Sequence, residues 1–407
     1  MPAGVGAGAT AAGTTRDSFG RLRTSEPFTL FDSKQLYDNL PLYYDDQEVS
    51  GGGTTSTYSS ARASTTIGVS SSIAGKRIRQ TFQRFNYQPG KSQEVLLTGI
   101  LSPSGGGTGI QSAMGLFDDN NGIFVRYNEG TIEMVIRSSV TGSPVDNSIP
   151  QSQWNGDKLD GNNTSKYTLD PTKAQIFWCD LEWLGVGSVR CGFVINGELI
   201  LCHTFRHANS LASVYMSTPN LPVRYEIEND GTGVASTLEH ICSTVISEGG
   251  QQNTGQLHYV STEGTHCDCN VANTLYGIIG VRLRSDAPDN HVDFAEMSML
   301  NGTVDDFEWV LVYDPTVTGT LTYSGHPNSV CEVAVAGGTP PTITGGTPVI
   351  GGFVKSSGNT GAISSNLDNA LRIGTAIDGT QKAMILCCRP LSANADIDAG
   401  IGWRELS

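Results

Sequence analysis

The stretch Ala174–Phe205, AQIFWCDLEWLGVGSVRCGFVINGELILCHTF, decides the fold. Strand-like runs flank Gly185-Val186-Gly187, and Asn196-Gly197 joins Phe193–Ile195 to Glu198–Leu201. Asn-Gly between apolar runs is the strongest short hairpin signal, because both central positions of such a turn take φ > 0. Gly115–Ser139, GLFDDNNGIFVRYNEGTIEMVIRSS, repeats the device. It reads as three strands, with Asn121-Gly122 closing the first turn and Asn128-Glu129-Gly130 the second. Both stretches are antiparallel meanders.

Working outward, RIRQTFQRFNYQPGKSQEVLLTGIL from Arg77 alternates, breaks at Pro89-Gly90 and turns apolar from Val95 to Leu101. Downstream, Pro222–Glu228, the turn Asn229-Asp230-Gly231 and a run to Glu248 complete one domain. Gly249–Gly255 reads as a boundary. Beyond it come six more strand-like runs: LYGIIGVRLR, FEWVLVY, TLTYSG, CEVAVAG, KAMILCCRPL and GIGWREL. DFAEMSMLNG between them suits either a strand or a short helical turn. No fixed-period repeat is present, which argues against a solenoid or propeller. The expected class is mainly β, with two β-sandwich, jelly-roll-like domains and an extended N-terminal arm. The expected divisions are an arm at 1–48, a Gly/Ser/Thr linker at 49–75, a sandwich at 76–250 and a smaller sandwich at 251–407.

Composition agrees. Gly is 49 of 407 residues and charged residues are 16%, as suits short strands joined by small turn residues. A net charge of −15 repels phosphate backbones, so direct nucleic-acid binding is not expected. The basic clusters Arg21/Arg23 and Lys76/Arg77/Arg79 are too short to reverse that field. The N-terminus has no charged start or continuous apolar core, and no stretch reaches the roughly 20 apolar residues of a membrane span. Synthesis in a cytoplasm without membrane insertion is the expectation. The nine cysteines are then expected as reduced thiols, several of them small core residues inside strands.

Residues 17–48 follow neither a 3.6 nor a 2.0 period, yet they carry Phe19, Phe28, Phe31, Tyr37, Tyr43 and Tyr44 among prolines and charges. So many large apolar groups must bury against something. Two arrangements satisfy them: an arm across a neighbouring subunit, or a strap on the chain's own body. These six residues are the candidate assembly anchors.

Asp17–Lys34, DSFGRLRTSEPFTLFDSK, and Arg84–Gln93, RFNYQPGKSQ, resemble structural proteins of tailed bacteriophages, a likeness extending through Ile246. The resemblance implies a virion component that partners copies of itself and other virion proteins. Gln175–Phe205 is similar to the concanavalin A-like jelly roll of lectin and laminin-G type domains. That second likeness implies a fold and leaves glycan binding open, since fold alone does not assign function.

Four constellations invite chemistry. His266-Cys267-x-Cys269 offers thiolate and imidazole, but a structural zinc site needs four ligands and no second pair is evident. Loop cysteines are the simpler reading. Cys202-His203 with His207 would place the two histidines roughly 13 Å apart on a strand, too far for one metal. Asp118-Asp119-Asn120-Asn121-Gly122 carries oxygen ligands but lacks the spacing of a calcium loop, and a hairpin turn explains it. Asp180 and Glu182 share a strand face with Trp178, and a retaining glycosidase needs two carboxyls about 5–5.5 Å apart. The Glu-x-Asp-x-x-Glu arrangement of related glycosidases is absent. No nucleophile elbow, P-loop or dinucleotide fingerprint occurs. The expectation is a non-enzymatic virion protein without cofactor or metal. It is placed in the tail, baseplate or fibre region, alternatively as a head-surface decoration, and a host surface glycan is a possible further partner.

Overall fold

The computed structural model describes residues 26–102, 106–303, 305–355, 372–392 and 394–406. Among them the chain is almost entirely β, interrupted by one 3-10 turn at Gln151–Gln153. No helix among them is long and apolar enough to cross a membrane.

Fifteen strands form the first sandwich. They are β1 (Phe28–Lys34), β2 (Tyr44–Gly51), β3 (Thr54–Ser59), β4 (Ser64–Val69), β5 (Gly75–Thr81), β6 (Gln93–Ile100), β7 (Ile110–Phe117) and β8 (Gly122–Asn128). There follow β9 (Thr131–Ser138), β10 (Val145–Pro150), β11 (Gln175–Leu181), β12 (Val189–Ile195), β13 (Glu198–Phe205), β14 (Val223–Asn229) and β15 (Ser236–Ser247). One sheet runs β13-β12-β11-β6-β15-β4-β3, with β1 also paired to β15, and the facing sheet runs β10-β9-β8-β7-β14-β5-β2. Side chains alternate across each pleat, so Val95, Leu97, Phe177 and Phe193 from one sheet meet Met114, Val125, Tyr225 and Ile227 from the other.

Three expectations change here. Residues 28–48 are no free arm: β1 lies antiparallel on Thr244-containing β15 in one sheet, and β2 on β5 in the other. Unpaired backbone groups on these two sheet edges are satisfied by the segment itself, which makes it a strap on its own body. Within 49–75, expected as a Gly/Ser/Thr linker followed by a polar, alternating β segment, the linker part carries β3, whose Thr-rich alternation suffices for a sheet edge, and β4 lies inside the sheet between β3 and β15. Asn121-Gly122 is not a two-residue turn, since Phe117 already pairs with Gly122 and the loop is Asp118–Asn121. Asn196-Gly197 does behave as expected, at φ +53° and +82°. Glu129-Gly130 adopts the same left-handed pair at +48° and +97°, with a glutamate where Asn or Gly is easier.

Twelve strands form the second sandwich. They are β16 (Gln256–Ser261), β17 (Cys267–Cys269), β18 (Tyr276–Leu283), β19 (His291–Asn301), β20 (Phe307–Tyr313) and β21 (Thr316–Thr318). The rest are β22 (Ser324–Gly325), β23 (Cys331–Val335), β24 (Thr342–Thr344), β25 (Thr347–Val354), β26 (Ala383–Pro390) and β27 (Ala395–Leu406). In the smaller sheet β27 is central, with β19 along one edge and β16 and β17 sharing the other. The larger sheet runs β21-β24-β18-β26-β20-β25, extended by β23 and β22. Its core of Ile279, Phe307, Trp309 and Leu386 packs on Met297, Ile401 and Trp403, separate from the first core. The ambiguous DFAEMSMLNG segment is β19, a strand.

The sandwiches meet through polar contacts. Arg84 pairs with Asp289 at 3.2 Å, Asp45 accepts the Ile377 amide at 2.7 Å, and Asn220 donates to the Asp289 carbonyl at 3.0 Å.

Candidate functional site

The candidate anchors divide sharply. Phe19 lies outside the described residues. Phe31 and Tyr44 are 7% and 3% exposed and belong to the first core. Phe31 is 6.0 Å from both Tyr43 and Tyr44 and 5.1 Å from Phe85, ring centre to ring centre. The two stretches that carry the phage resemblance therefore touch, through Phe31 and Phe85. Tyr37, by contrast, is 91% exposed, and Leu36, Leu42, Tyr43 and Phe28 are also open to solvent.

The split follows from the crossing. Residues 35–43 pass from one sheet to the other, and a buried polar knot holds the crossing rigid. Gln35 donates to the His240 carbonyl at 2.9 Å and accepts from Thr65. Arg79, fully buried, donates to the Asn39 carbonyl, to Asp46 at 3.4 Å and through Nε to His240 Nδ1 at 3.1 Å. Its guanidinium also sits 4.5 Å from the Tyr44 ring centre. Burial and the facing Arg79 cation hold His240 well below the ordinary histidine range. A neutral ring accepting at Nδ1 then donates Nε2–H to Ser243 Oγ, 3.1 Å away. With its ends fixed this way, the crossing leaves Leu36, Tyr37, Leu42 and Tyr43 as an ordered apolar ridge. Nothing in the sequence pattern marks Gln35, Arg79 and His240 as partners, because they lie on three distant segments.

Asp180 and Glu182 part company as well. Asp180 is buried and Glu182 exposed. Both Asp180 oxygens are taken by Arg190, with Nε to Oδ1 at 2.8 Å. Burial raises the Asp180 pKa and Glu248 adds to it, against the Arg190 hydrogen bonds. Trp178 shares this face as expected, but it is capped: its indole donates to Glu94 at 2.7 Å and the Arg190 guanidinium lies 5.5 Å from its ring centre. Lys91, Ser92, Asp180, Glu182, Ser188 and Arg190 line a polar cleft of about 550 Å³. Arg190 and Lys91 were missed by sequence reasoning, since cross-strand partners leave no local signal.

The remaining constellations do not converge. Cys267 and Cys269 are not loop residues but lie on β17, fully buried, because that strand turns both thiols into the second core. Burial pushes the Cys267 thiol up to about 12, and Cys267 Sγ donates to the Ala336 carbonyl at 3.3 Å. His266 points outward and holds Asp398, with Nδ1 2.7 Å from Oδ2. His203 accepts from the Asn155 amide at 3.2 Å, and His207 donates to the Gly187 carbonyl at 2.6 Å, each with its own partner. Asp118 accepts the Asn120 and Asn121 amides at 2.7 and 2.8 Å, which closes the hairpin, and Asp119 pairs with Arg224 at 2.7 Å. Among the described residues no three His, Cys, Asp or Glu side chains gather as metal ligands would. All nine cysteines are unpaired.

No protein-family model matches the chain, and no curated protein matches it. Solved structures share its all-β framework. A protein of unknown function, SO2946 from Shewanella oneidensis MR-1, is 10% identical, with 62% of this chain and 99% of that chain covered at a TM-score of 0.35. The legume lectin-like domain from Entamoeba histolytica is 12% identical, with 54% and 97% covered at 0.32. The CBM2 module of the evolved Dit of Lactobacillus casei BL23 phage J-1 is 6% identical, with 56% and 100% covered at 0.35. At such identities and scores, function has to be argued from this chain's own residues.

Proposed function

We propose that the chain is a non-enzymatic structural component of a phage virion, in its tail, baseplate or fibre region, that associates with copies of itself through the ridge between β1 and β2. The observation that carries this reading is the exposure of Leu36, Tyr37, Leu42 and Tyr43 on a crossing whose backbone is already fixed. Apolar groups held rigid in water lose little conformational entropy when covered, so each contributes most of its burial, about 25 cal/mol per Å². Aromatic residues so presented are the usual energetic centres of interfaces. The stretches resembling phage structural proteins, Asp17–Lys34 and Arg84–Gln93, supply the setting.

Sedimentation velocity tests the association. The native chain should sediment as an oligomer, and the quadruple variant Leu36→Ser/Tyr37→Ser/Leu42→Ser/Tyr43→Ser as a folded monomer with unchanged far-ultraviolet circular dichroism. A native chain that stays monomeric at about 100 μM, a level at which even weak specific complexes form, would overturn it. Mass spectrometry of purified particles from the host carrying the gene should find the chain in the virion.

The cleft at Asp180 and Arg190 favours a second reading, recognition of a polar, hydroxylated ligand such as a host glycan on the first sandwich. Planar charged groups of this kind hold hydroxyl pairs well. Substituting Arg190→Ala should abolish any glycan-array signal that arises there.

A further inference from the structure

The smaller sheet of the second sandwich carries a groove on its outer face. Tyr259 of β16, Gly402 of β27 and Glu296 of β19 stand in one row, and Ser261, Gly400 and Ser298 in the next. Side chains rise from both flanking strands while the central strand offers glycine twice. Alongside this lane opens a channel of about 370 Å³ lined by Tyr259, Ser261, Glu263, Ser298, Leu300 and Asp398. Its size falls within the range of small-molecule sites, roughly 300–1,000 Å³.

Tyr259 lies across the channel floor. A Cβ added to Gly400 would stand 2.1 Å from the Tyr259 hydroxyl and 2.7 Å from Cζ, so the phenol end occupies the space a side chain would need. Gly400 does not adopt a left-handed φ, and its backbone would accept alanine; the ring is what requires glycine there. Yet Tyr259 remains 56% exposed, which leaves much of the ring open to the channel. Beside it the Asp398 carboxylate is held in place by His266, at 2.7 Å, and by Thr262 Oγ1, at 3.1 Å. This is the use the structure finds for the His266 that the sequence singled out.

We propose that this groove binds a neutral hexopyranose unit of a saccharide, its C–H face stacked on Tyr259 and its hydroxyls on Asp398, Ser261 and Ser298. The pyranose C–H face is weakly positive and apolar, and suits the negative face of an aromatic ring. Carboxylate and hydroxyl oxygens at the rim accept from sugar hydroxyls. Glu263 and Asp398 make the rim acidic, which disfavours uronic and sialic acids. The bland account is that Tyr259 merely shields the backbone of Gly400, as aromatic residues do for glycines in sheets. Unlike a shield, a platform responds to ligand. The site is independent of the virion reading and lies in the other sandwich from the Arg190 cleft.

Isothermal titration of the full chain with neutral tetrasaccharides of gluco, galacto and manno configuration tests it, with tetragalacturonate as the charged control. At least one neutral sugar should bind. Tyr259→Ala should weaken it about tenfold or more, equivalent to losing one stacking contact, while Tyr259→Phe stays within about threefold. Gly400→Ala, which pushes the ring aside, should weaken binding. Arg190→Ala serves as the control for the first sandwich. Absence of binding by all three neutral sugars, indifference to Tyr259→Ala, equal binding of tetragalacturonate, or loss in Arg190→Ala would each overturn the proposal. Thermal melting of every variant verifies folding, and Tyr259→Phe keeps the test valid if Tyr259→Ala unfolds.

Discussion

Trp178 and Tyr259 both lie on the outer face of a sheet, one in each sandwich, and their environments are opposite. Trp178 is capped by Glu94 and Arg190 and is 4% exposed. Tyr259 has a glycine lane beneath it and stays 56% exposed, with Gly402 as the central member of its row. The difference lies in the flanking residues. Trp178 also faces a glycine, Gly192 on β12, but its diagonal neighbours Arg190 and Glu94 close over it, whereas Gly400 and Gly402 leave Tyr259 open. An aromatic residue on a sheet face is thus a structural or a recognition element according to what its cross-strand neighbours carry.

The largest expected effect separates the two rings. Trp178→Ala removes a buried indole together with the hydrogen bond to Glu94 and should cost about 3 kcal/mol or more in urea unfolding. Tyr259→Ala should cost under about 1 kcal/mol, in the range of exposed positions. Similar losses for both would break the comparison. Next in size is the cap itself. Arg190→Ala leaves the Asp180 carboxylate buried without its partner. Removing one member of a fully buried pair costs roughly 3–5 kcal/mol, and because Arg190 is half exposed the expected loss is nearer about 2 kcal/mol. The double variant Asp180→Asn/Arg190→Gln should recover part of it, since no charge remains to be desolvated.

Legibility in the sequence follows the range of the interactions. The meanders at Gly115–Ser139 and Gln175–Phe205 were readable because period-2 alternation and short turns are local. The turn at Asn121-Gly122 was misplaced because Asp118 accepts two loop amides and extends the loop to four residues, which composition alone does not reveal. Strands β1 to β3 were read as arm and linker. Their alternation is blurred, since edge strands bury one face only in part and tolerate Ser, Thr and Gly. Of the six aromatic anchors, Phe31 and Tyr44 are covered by the chain itself, Phe28, Tyr37 and Tyr43 are open to solvent, and Phe19 lies outside the described residues. Whether Tyr43 or Tyr44 is covered depends on which side of β2 faces β15, a question of register that a single residue's slip would reverse. The Tyr259 groove was invisible, because it arises from three strands meeting around two glycines.

Acid acts on both sandwiches through their histidines. His240 in the first core is held neutral by burial and Arg79, and burial also lowers His203 and His207. In the second, burial likewise lowers His291 and His326. A histidine with a lowered folded pKa binds its proton in the unfolded chain first. Its stabilising effect is complete above about pH 6.5 and is lost as pH falls from there toward the folded value, at up to about 1.4 kcal/mol per pH unit for each such group. Melting temperatures should therefore fall between pH 7 and pH 5, and His240→Gln should flatten part of that slope. A flat profile for the native chain would mean that the knot holding the β1–β2 crossing is not as dry as its geometry requires.

The smallest expected effect concerns two glycines that share one face of one strand. Gly400→Ala collides with the Tyr259 hydroxyl at 2.1 Å and with its ring Cζ at 2.7 Å, so the ring must swing into water and the chain should lose up to about 1 kcal/mol. Gly402→Ala meets the His258 carbonyl at 3.4 Å and the Glu296 Cβ at 3.8 Å, both ordinary contacts. There the added methyl group restricts the unfolded chain more than it strains the folded one, and a gain of about 0.5 kcal/mol is expected. Opposite signs from the same substitution two residues apart would show that glycine at 400 is there for Tyr259. Equal signs in chemical unfolding would mean that the ring has another place to rest, and the channel would then have no fixed floor.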